Sequence, residues 1–348
     1  MGVGPVAFGG IELFALLGFL LAAYSIVAND AIQTLGTFLS SNSQRPWWVL
    51  WLYACSIIVA VMLYGYFVLN SDIAYGRLNR IPYPELGIQW WHALPPLALL
   101  ILTRFGIPVS TTFLVLTIFT LTGGAATEGV MLDMLIKSGV GYLVALFAGG
   151  LVYLAVANSW ERWIRRTMEN PVPIHWIALQ WLSTAFLWSQ WLIQDLANIF
   201  VFLPRQTVQN GSGTQVMFDP WMLVFATIVM LVLHAWIFAR RGGEIQKIVT
   251  SKTNTTDIRA ATLIDFIYGV ILFIFKDISD VPMSTTWVFL GLLAGREIAI
   301  SYVSGLRSRR EAAFDVGTDI ARATLGLVVS VALAVALPWA ATGRPPTW

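Results

Sequence analysis

Apolar runs about twenty residues long recur from one end of this chain to the other, and that length constrains the fold more than any other feature. A helix rises about 1.5 Å per residue, so about twenty residues cross the roughly 30 Å hydrocarbon core of a bilayer. The backbone must satisfy its own polar groups there, which leaves helices and closed barrels as spanning structures. These runs are continuous and do not alternate, so helices are expected. Composition agrees. Of 348 residues, 57% are hydrophobic and only 11% are charged, against about 25% in soluble domains. The chain reads as an all-α polytopic membrane protein. A net charge of +2 gives no reason to expect nucleic acid. Cys55 is the only cysteine, so no internal disulfide forms. The first run lacks a basic flank and a small-residue cleavage pattern, and is expected to remain as a span.

About ten transmembrane or re-entrant segments are expected, near 10–40, 47–69, 88–103, 107–122 and 132–157, then 173–203, 219–239, 259–275, 284–303 and 316–338. A charged stretch, NSWERWIRRTMENP, separates the two sets. The sets correspond in order and in loop length. This predicts a repeat at 1–157, a cytoplasmic linker at 158–172, and a second repeat at 173–348. Segments 88–103 and 107–122 are short enough to be re-entrant.

Two motifs support the duplication. The first set has NDAIQ (29–33) and then GIPVSTT (106–112); the second has QDLAN (194–198) and then DVPMSTT (280–286). An odd number of crossings per half makes the second half enter the membrane from the opposite side. With the N-terminus outside, thirteen Lys and Arg residues fall on the cytoplasmic side, among them Arg45, Arg104, Arg240, Arg241 and Arg259. Six fall outside: Arg77, Arg80, Lys137, Arg205, Lys276 and Arg344. The expectation is an inverted repeat with both termini outside, in the cell membrane.

Proline suits a first helical turn, and Ser and Thr cap helices. Each Ser-Thr-Thr element therefore reads as a helix start within the membrane, where free N–H groups and hydroxyls attract an anion. Ser110, Thr111, Thr112, Ser284, Thr285 and Thr286 are the candidate anion ligands. A carboxylate at membrane depth costs about 2.5–3.5 kcal/mol and persists when a cation, a proton or a donor compensates it. Asp30 and Asp195, with Asn29, Gln33, Gln194 and Asn198, offer hard oxygen ligands suited to Na⁺ or H⁺. Asp30 and Asp195 are where Na⁺ is expected. Read singly, such hydroxyls more often bond their own helix or glue neighbouring helices. Duplication of both motifs favours a site. Asp280 stands where the first copy has Gly106 and is a candidate gate.

At these residues the chain resembles the inorganic phosphate transporter family of sodium- or proton-coupled phosphate permeases. The family carries an Asn-Asp signature and a Pro-Val-Ser-Thr-Thr-His element in each half. VANDAIQTLGT matches at Asn29, Asp30, Gly36 and Thr37, and GIPVSTT matches at Pro108 to Thr112. LIQDLAN keeps Asp195 and Asn198, and VPMSTT keeps Pro282 and Ser284 to Thr286. The departures are Phe113 and Trp287 where the family has His, and Gln194 where it has Asn. The resemblance implies a phosphate symporter, with acidic motifs serving cation and phosphate and Ser-Thr-Thr residues holding the anion.

The alternatives are the same fold carrying sulfate or another small anion, an ion channel on the duplicated scaffold, and an intramembrane enzyme or receptor. No nucleotide-binding loop, Gly-x-Ser-x-Gly or His-Glu-x-x-His pattern occurs, so a secondary transporter without a cofactor is favoured over a pump or an enzyme. The partners expected are phosphate or a like oxyanion, the coupling cation and lipid. The sequence leaves homo-oligomerisation open.

Overall fold

Each expected apolar segment carries a helix. A computed structural model of the chain describes residues 7–8, 11–105, 109–167, 171–210, 213–243, 246, 250, 257–278, 282–303 and 308–343. The first segment is α1 (Leu13–Ile26), a π-helical turn (Val27–Ala31) and α2 (Ile32–Ser41). Then follow α3 (Trp47–Val68), α4 (Leu94–Arg104), α5 (Thr111–Thr122) and α6 (Val130–Arg166). The second set is α7 (Ile174–Phe200), α8 (Pro220–Ala239), α9 (Ile258–Ile278), α10 (Thr285–Val303) and α11 (Arg309–Thr342).

Among the described residues, seven helical stretches are long and apolar enough to cross a membrane. The protein is a multi-pass integral membrane protein of helices. α7 is long enough as well, but Gln180, Gln190, Gln194, Asp195 and Asn198 lower its hydropathy. Only 28% of the apolar window of α6 and 22% of that of α11 are buried, which puts these two helices at the lipid-facing periphery. Phe67, Phe147, Leu151 and Val232 stand exposed, as a hydrocarbon solvent allows.

Two features differ from expectation. The charged stretch after residue 157 is helical in its first part, because α6 runs unbroken to Arg166 for 37 residues. A β-hairpin, Gln206–Asn210 with Gly213–Met217, also follows α7. Its second strand is tied down by Val216 N–H to Asn79 Oδ1 at 3.1 Å, and Phe218 N–H bonds the Ser71 carbonyl at 3.0 Å.

Hydrogen bonds sort the helix ends onto two faces. On one, Glu12 accepts from Ile88 N–H, Arg77 donates to the Lys276 carbonyl, Arg205 to that of Ile81, and Arg80 pairs with Asp133. On the other, Arg241 donates to the Arg45 carbonyl and Arg259 to the Thr167 hydroxyl. α3 and α8 are thus antiparallel, and about 33 Å of α3 separates the faces.

Neighbouring helices pair in a self-consistent pattern. α6 packs along α10 and α5 along α11; α7 packs along α9 and α1 along α4; α3 packs against α8. If α1–α2 is exchanged with α7, α3 with α8, α4 with α9, α5 with α10 and α6 with α11, this set of contacts maps onto itself. The closest of these contacts is α6 on α10. Gly291 and Gly295 form a GxxxG step whose added Cβ atoms would collide with the Tyr142 and Leu146 carbonyls. From the α6 side, a Cβ on Gly149 would stand 2.7 Å from the Leu292 carbonyl.

Candidate functional site

α5 and α10 both begin in the protein interior, and each start is built alike. Ser110 and Ser284 are N-caps: their hydroxyls accept from Phe113 N–H at 3.3 Å and Trp287 N–H at 3.2 Å. Ser284 N–H in turn donates to Ser138 Oγ at 2.8 Å. The capping role holds the next two residues of each element, Thr111 and Thr112 or Thr285 and Thr286, in the first turn. There backbone N–H groups lack intrahelical partners and point outward along the axis.

These four threonines converge on two acids. Thr111 Oγ donates to Asp30 Oδ2, and Thr285 Oγ donates to Asp195 Oδ2 at 2.6 Å. The second threonine of each element crosses over. Thr286 donates to Asp30 Oδ1 at 3.2 Å and Thr112 to Asp195 Oδ1 at 3.3 Å. Each carboxylate also takes one amide donor, Asp30 from Asn29 at 2.8 Å and Asp195 from Asn198 at 2.7 Å. Asn198 reaches on to the hydroxyls of Thr111 and Thr112. Each acid therefore receives one hydroxyl from its own half of the chain and one from the other. All these side chains are buried, with Asp30 at 2% and Asp195 at 0% exposure.

The two acids reach their amides differently. In the regular helix α7, Asn198 stands three positions after Asp195 and shares its face. Asn29 is adjacent to Asp30, about 100° away on an ideal helix, and the widened π turn at Val27–Ala31 brings the two side chains together. Gln33, the sequence counterpart of Asn198, donates to Asn29 Oδ1 at 3.0 Å, and Gln194 donates to the Leu272 carbonyl at 3.3 Å. The amide oxygens Gln33 Oε1, Gln194 Oε1 and Asn198 Oδ1 are buried and lack a hydrogen-bond partner among the described residues.

The structure thus brings all twelve candidate ligands into one region and merges the two groups that the sequence separates. The threonine hydroxyls serve the acids, and the serines serve as caps. Asp280, the candidate gate, lies outside the described residues, as do Gly106 and Pro108. Phe113 and Trp287 pack against each other with ring centroids 5.5 Å apart.

Other residues enter that the motifs do not mark. Tyr268 of α9, buried, donates its hydroxyl to the Thr285 carbonyl at 2.9 Å. A third buried acid, Asp265, accepts from Thr37 at 2.5 Å and Thr184 at 2.6 Å. Gln180 and Asn42 continue that chain toward the Arg45 face.

The site offers two kinds of ligand group. Carboxylates and free amide oxygens suit a hard cation, whereas hydroxyls and helix-start N–H groups suit an oxyanion. Each helix start carries a partial positive charge of about half an elementary charge. A cation would be held at Asp30 or Asp195 with the free amide oxygens, and an anion between the starts of α5 and α10.

No protein-family model matches the chain, and no curated protein sequence matches it. Among solved structures, the chain is similar to one described as "The sodium-dependent phosphate transporter". The TM-score is 0.54 at 14% identity, and the likeness covers 94% of this chain and 98% of that one. The two share a fold over nearly their whole lengths.

Proposed function

We propose that this protein is a secondary transporter that carries inorganic phosphate across the membrane together with Na⁺ or H⁺. The observation that carries the reading is the crossed network at the starts of α5 and α10, in which each acid stands within hydrogen-bond reach of one threonine hydroxyl from each half, Thr112 being shared with the Met283 carbonyl at 3.0 Å and Thr286 with that of Val109 at 3.4 Å. A hydroxyl has one proton to donate. An oxyanion that takes these donors strips the acids of their threonine hydrogen bonds, worth about 1.5–3 kcal/mol apiece, and buried carboxylates cannot stand bare. A cation or proton at Asp30 and Asp195 replaces those bonds and frees the hydroxyls for the anion. The lost bonds make anion binding without the cation weaker by at least about a hundredfold. That is coupling by shared donors, and it is reciprocal, as symport requires.

The rest of the architecture agrees. Residues 1–157 and 173–348 are read as inverted repeats joined through 158–172, with both termini outside the cell membrane. The helix contacts map onto themselves when the halves are exchanged, and each acid is served by both halves. The resemblance of the two motif pairs to phosphate permeases, and the fold shared with a protein described as a sodium-dependent phosphate transporter, supply the substrate. The protein is read as a transporter and not an enzyme. A second reading, transport of another oxyanion such as sulfate, draws on one observation. Phe113 and Trp287 pack ring to ring where the permease pattern has His.

The test is uptake by purified protein in liposomes under an imposed sodium or proton gradient, with labelled phosphate against labelled sulfate. Gradient-dependent accumulation of phosphate is expected. Accumulation of sulfate alone favours the second reading, and ion currents beyond transporter turnover establish a channel. No flux of either anion under either gradient overturns the proposal.

A further inference from the structure

Asp265 of α9 lies outside the crossed network, and its two oxygens are served unequally. The side chain is fully buried and forms no ion pair among the described residues. Its Oδ2 accepts from Thr184 of α7 at 2.6 Å, and the direction of that bond is fixed from the surface. Arg45 Nε and Trp181 Nε1 both donate to Asn42 Oδ1, so the Asn42 amide nitrogen faces Gln180 Oε1, at 3.1 Å. Gln180 Nε2 is left to donate to Thr184 Oγ at 2.9 Å, and the Thr184 proton goes to the acid. Oδ1 has only Thr37 of α2, at 2.5 Å. Thr37 has no second side-chain partner among the described residues, so its hydroxyl is free to turn.

This arrangement satisfies the carboxyl in either protonation state. As a carboxylate it accepts from both threonines. With a proton on Oδ1 it donates to Thr37 Oγ, and Thr37 gives its own proton to the carbonyl one turn back in α2, the usual bond of a helical threonine. A metal cation fits poorly. Gln180 Oε1 and Asn42 Oδ1 already accept hydrogen bonds, whereas the central site holds three amide oxygens without a partner among the described residues. No charged side chain of a neighbouring element faces the acid. α2 and α7 present Thr37, Thr184 and Gln180, and α3 presents Tyr53, whose hydroxyl is given to the Trp181 carbonyl.

Packing alone does not call for an acid here. The 165-residue step from Asp30 to Asp195 carries Phe19 onto Thr184 and Thr37 onto Phe202, and the 174-residue step from Ser110 to Ser284 carries Trp91 onto Asp265. The counterparts by motif spacing are thus three buried aromatic residues, and the polar cluster exists once, on the Arg45 side of the central acids. Hydroxyls lead from it to them. Tyr268, one turn from Asp265 on α9, is within hydrogen-bond reach of Thr34, one turn from Thr37 on α2, and Thr34 donates to the Asp30 carbonyl at 2.9 Å.

We infer that Asp265 is a proton-binding site separate from the central acids, which takes a proton from water onto Oδ1 and returns it while the Thr37 hydroxyl reverses. That the proton is bound and released in the transport cycle rests on the transport reading above; its binding does not.

Infrared difference spectroscopy of the purified protein on acidification tests the binding without flux. In Asp30→Asn with Asp195→Asn, a carboxylic C=O band is expected to appear on acidification and to be lost when Asp265→Asn is added. Asparagine keeps an acceptor for Thr184 and a donor for Thr37. Thr37→Val removes the acceptor of the acid proton and moves the band to higher frequency, and Thr37→Ser restores it. Size-exclusion profiles identify variants that misfold, and wild type against Asp265→Asn gives the same reading without the double variant.

Spectra that superimpose with and without Asp265, across the pH range in which the protein stays folded, overturn the inference. So does a band unmoved in Thr37→Val. So does a band that sodium, but not an equal concentration of potassium, bleaches at constant pH, because the site then binds a metal cation. A band at Asp265 with no phosphate flux under any gradient keeps the proton site and overturns the transport reading.

Discussion

Asp30 and Asp195 each hold three donors inside the protein, and those donors give every substitution at the site a direction. Asp30→Asn keeps the shape but loses the charge that attracts a cation, so gradient-driven phosphate uptake falls to the background of empty liposomes while the protein still purifies as one species. Asp195→Asn does the same. Thr111→Val and Thr285→Val keep the volume and remove one hydroxyl donor to each acid. Loss of one such bond raises half-saturating phosphate about tenfold, measured by initial uptake rates. Ser110→Ala differs in kind. It removes a helix cap, so it costs about 1 kcal/mol of stability and lowers Tm, with a smaller effect on half-saturation.

The residues at the site were legible in the sequence because they come as duplicated pairs, NDAIQ with PVSTT and QDLAN with PMSTT. Their connections were not. Thr286 and Asp30 stand 256 positions apart, and nothing in either motif says that a hydroxyl of one half completes the acid of the other. Tyr268 was invisible for the same reason: it belongs to no motif and reaches the site through the packing of α9.

At the scale of elements, close packing and local geometry set the limits. α6 and α10 approach through Gly291 and Gly295, where no side-chain atom fits. Gly295→Ala forces the helices apart and costs about 1–3 kcal/mol, seen as a lower Tm in detergent. Gly317→Ala in α11 is the control. Nothing stands within 4 Å of its Cβ position, and alanine favours the helix, so Tm holds or rises. The lengths of apolar runs predicted the helices α1 to α11, since burial in lipid leaves the backbone little choice. They did not predict the π turn at Val27–Ala31, because no residue type there distinguishes a widened turn from a regular one. The hairpin after α7 had a signal, a Asn-Gly-Ser-Gly turn between alternating residues in QTVQNGSGTQVM, which apolar segmentation alone passes over. The continuation of α6 to Arg166 shows the opposite error. A charged stretch reads as a linker, yet charges are compatible with a helix that has left the hydrocarbon.

For the whole molecule, the account rests on two halves sharing one set of donors, with an ion site that works only when cation and anion are both present. That claim is a statement about linkage and is tested most directly by equilibrium binding. Labelled phosphate is titrated onto purified protein at a series of sodium concentrations and pH values, with Asp30→Asn and Asp195→Asn beside the wild type. The account predicts that phosphate affinity rises at least about a hundredfold as the coupling cation saturates, and that both variants lose this dependence. Phosphate affinity that stays constant across sodium concentration and pH in the wild type would contradict it.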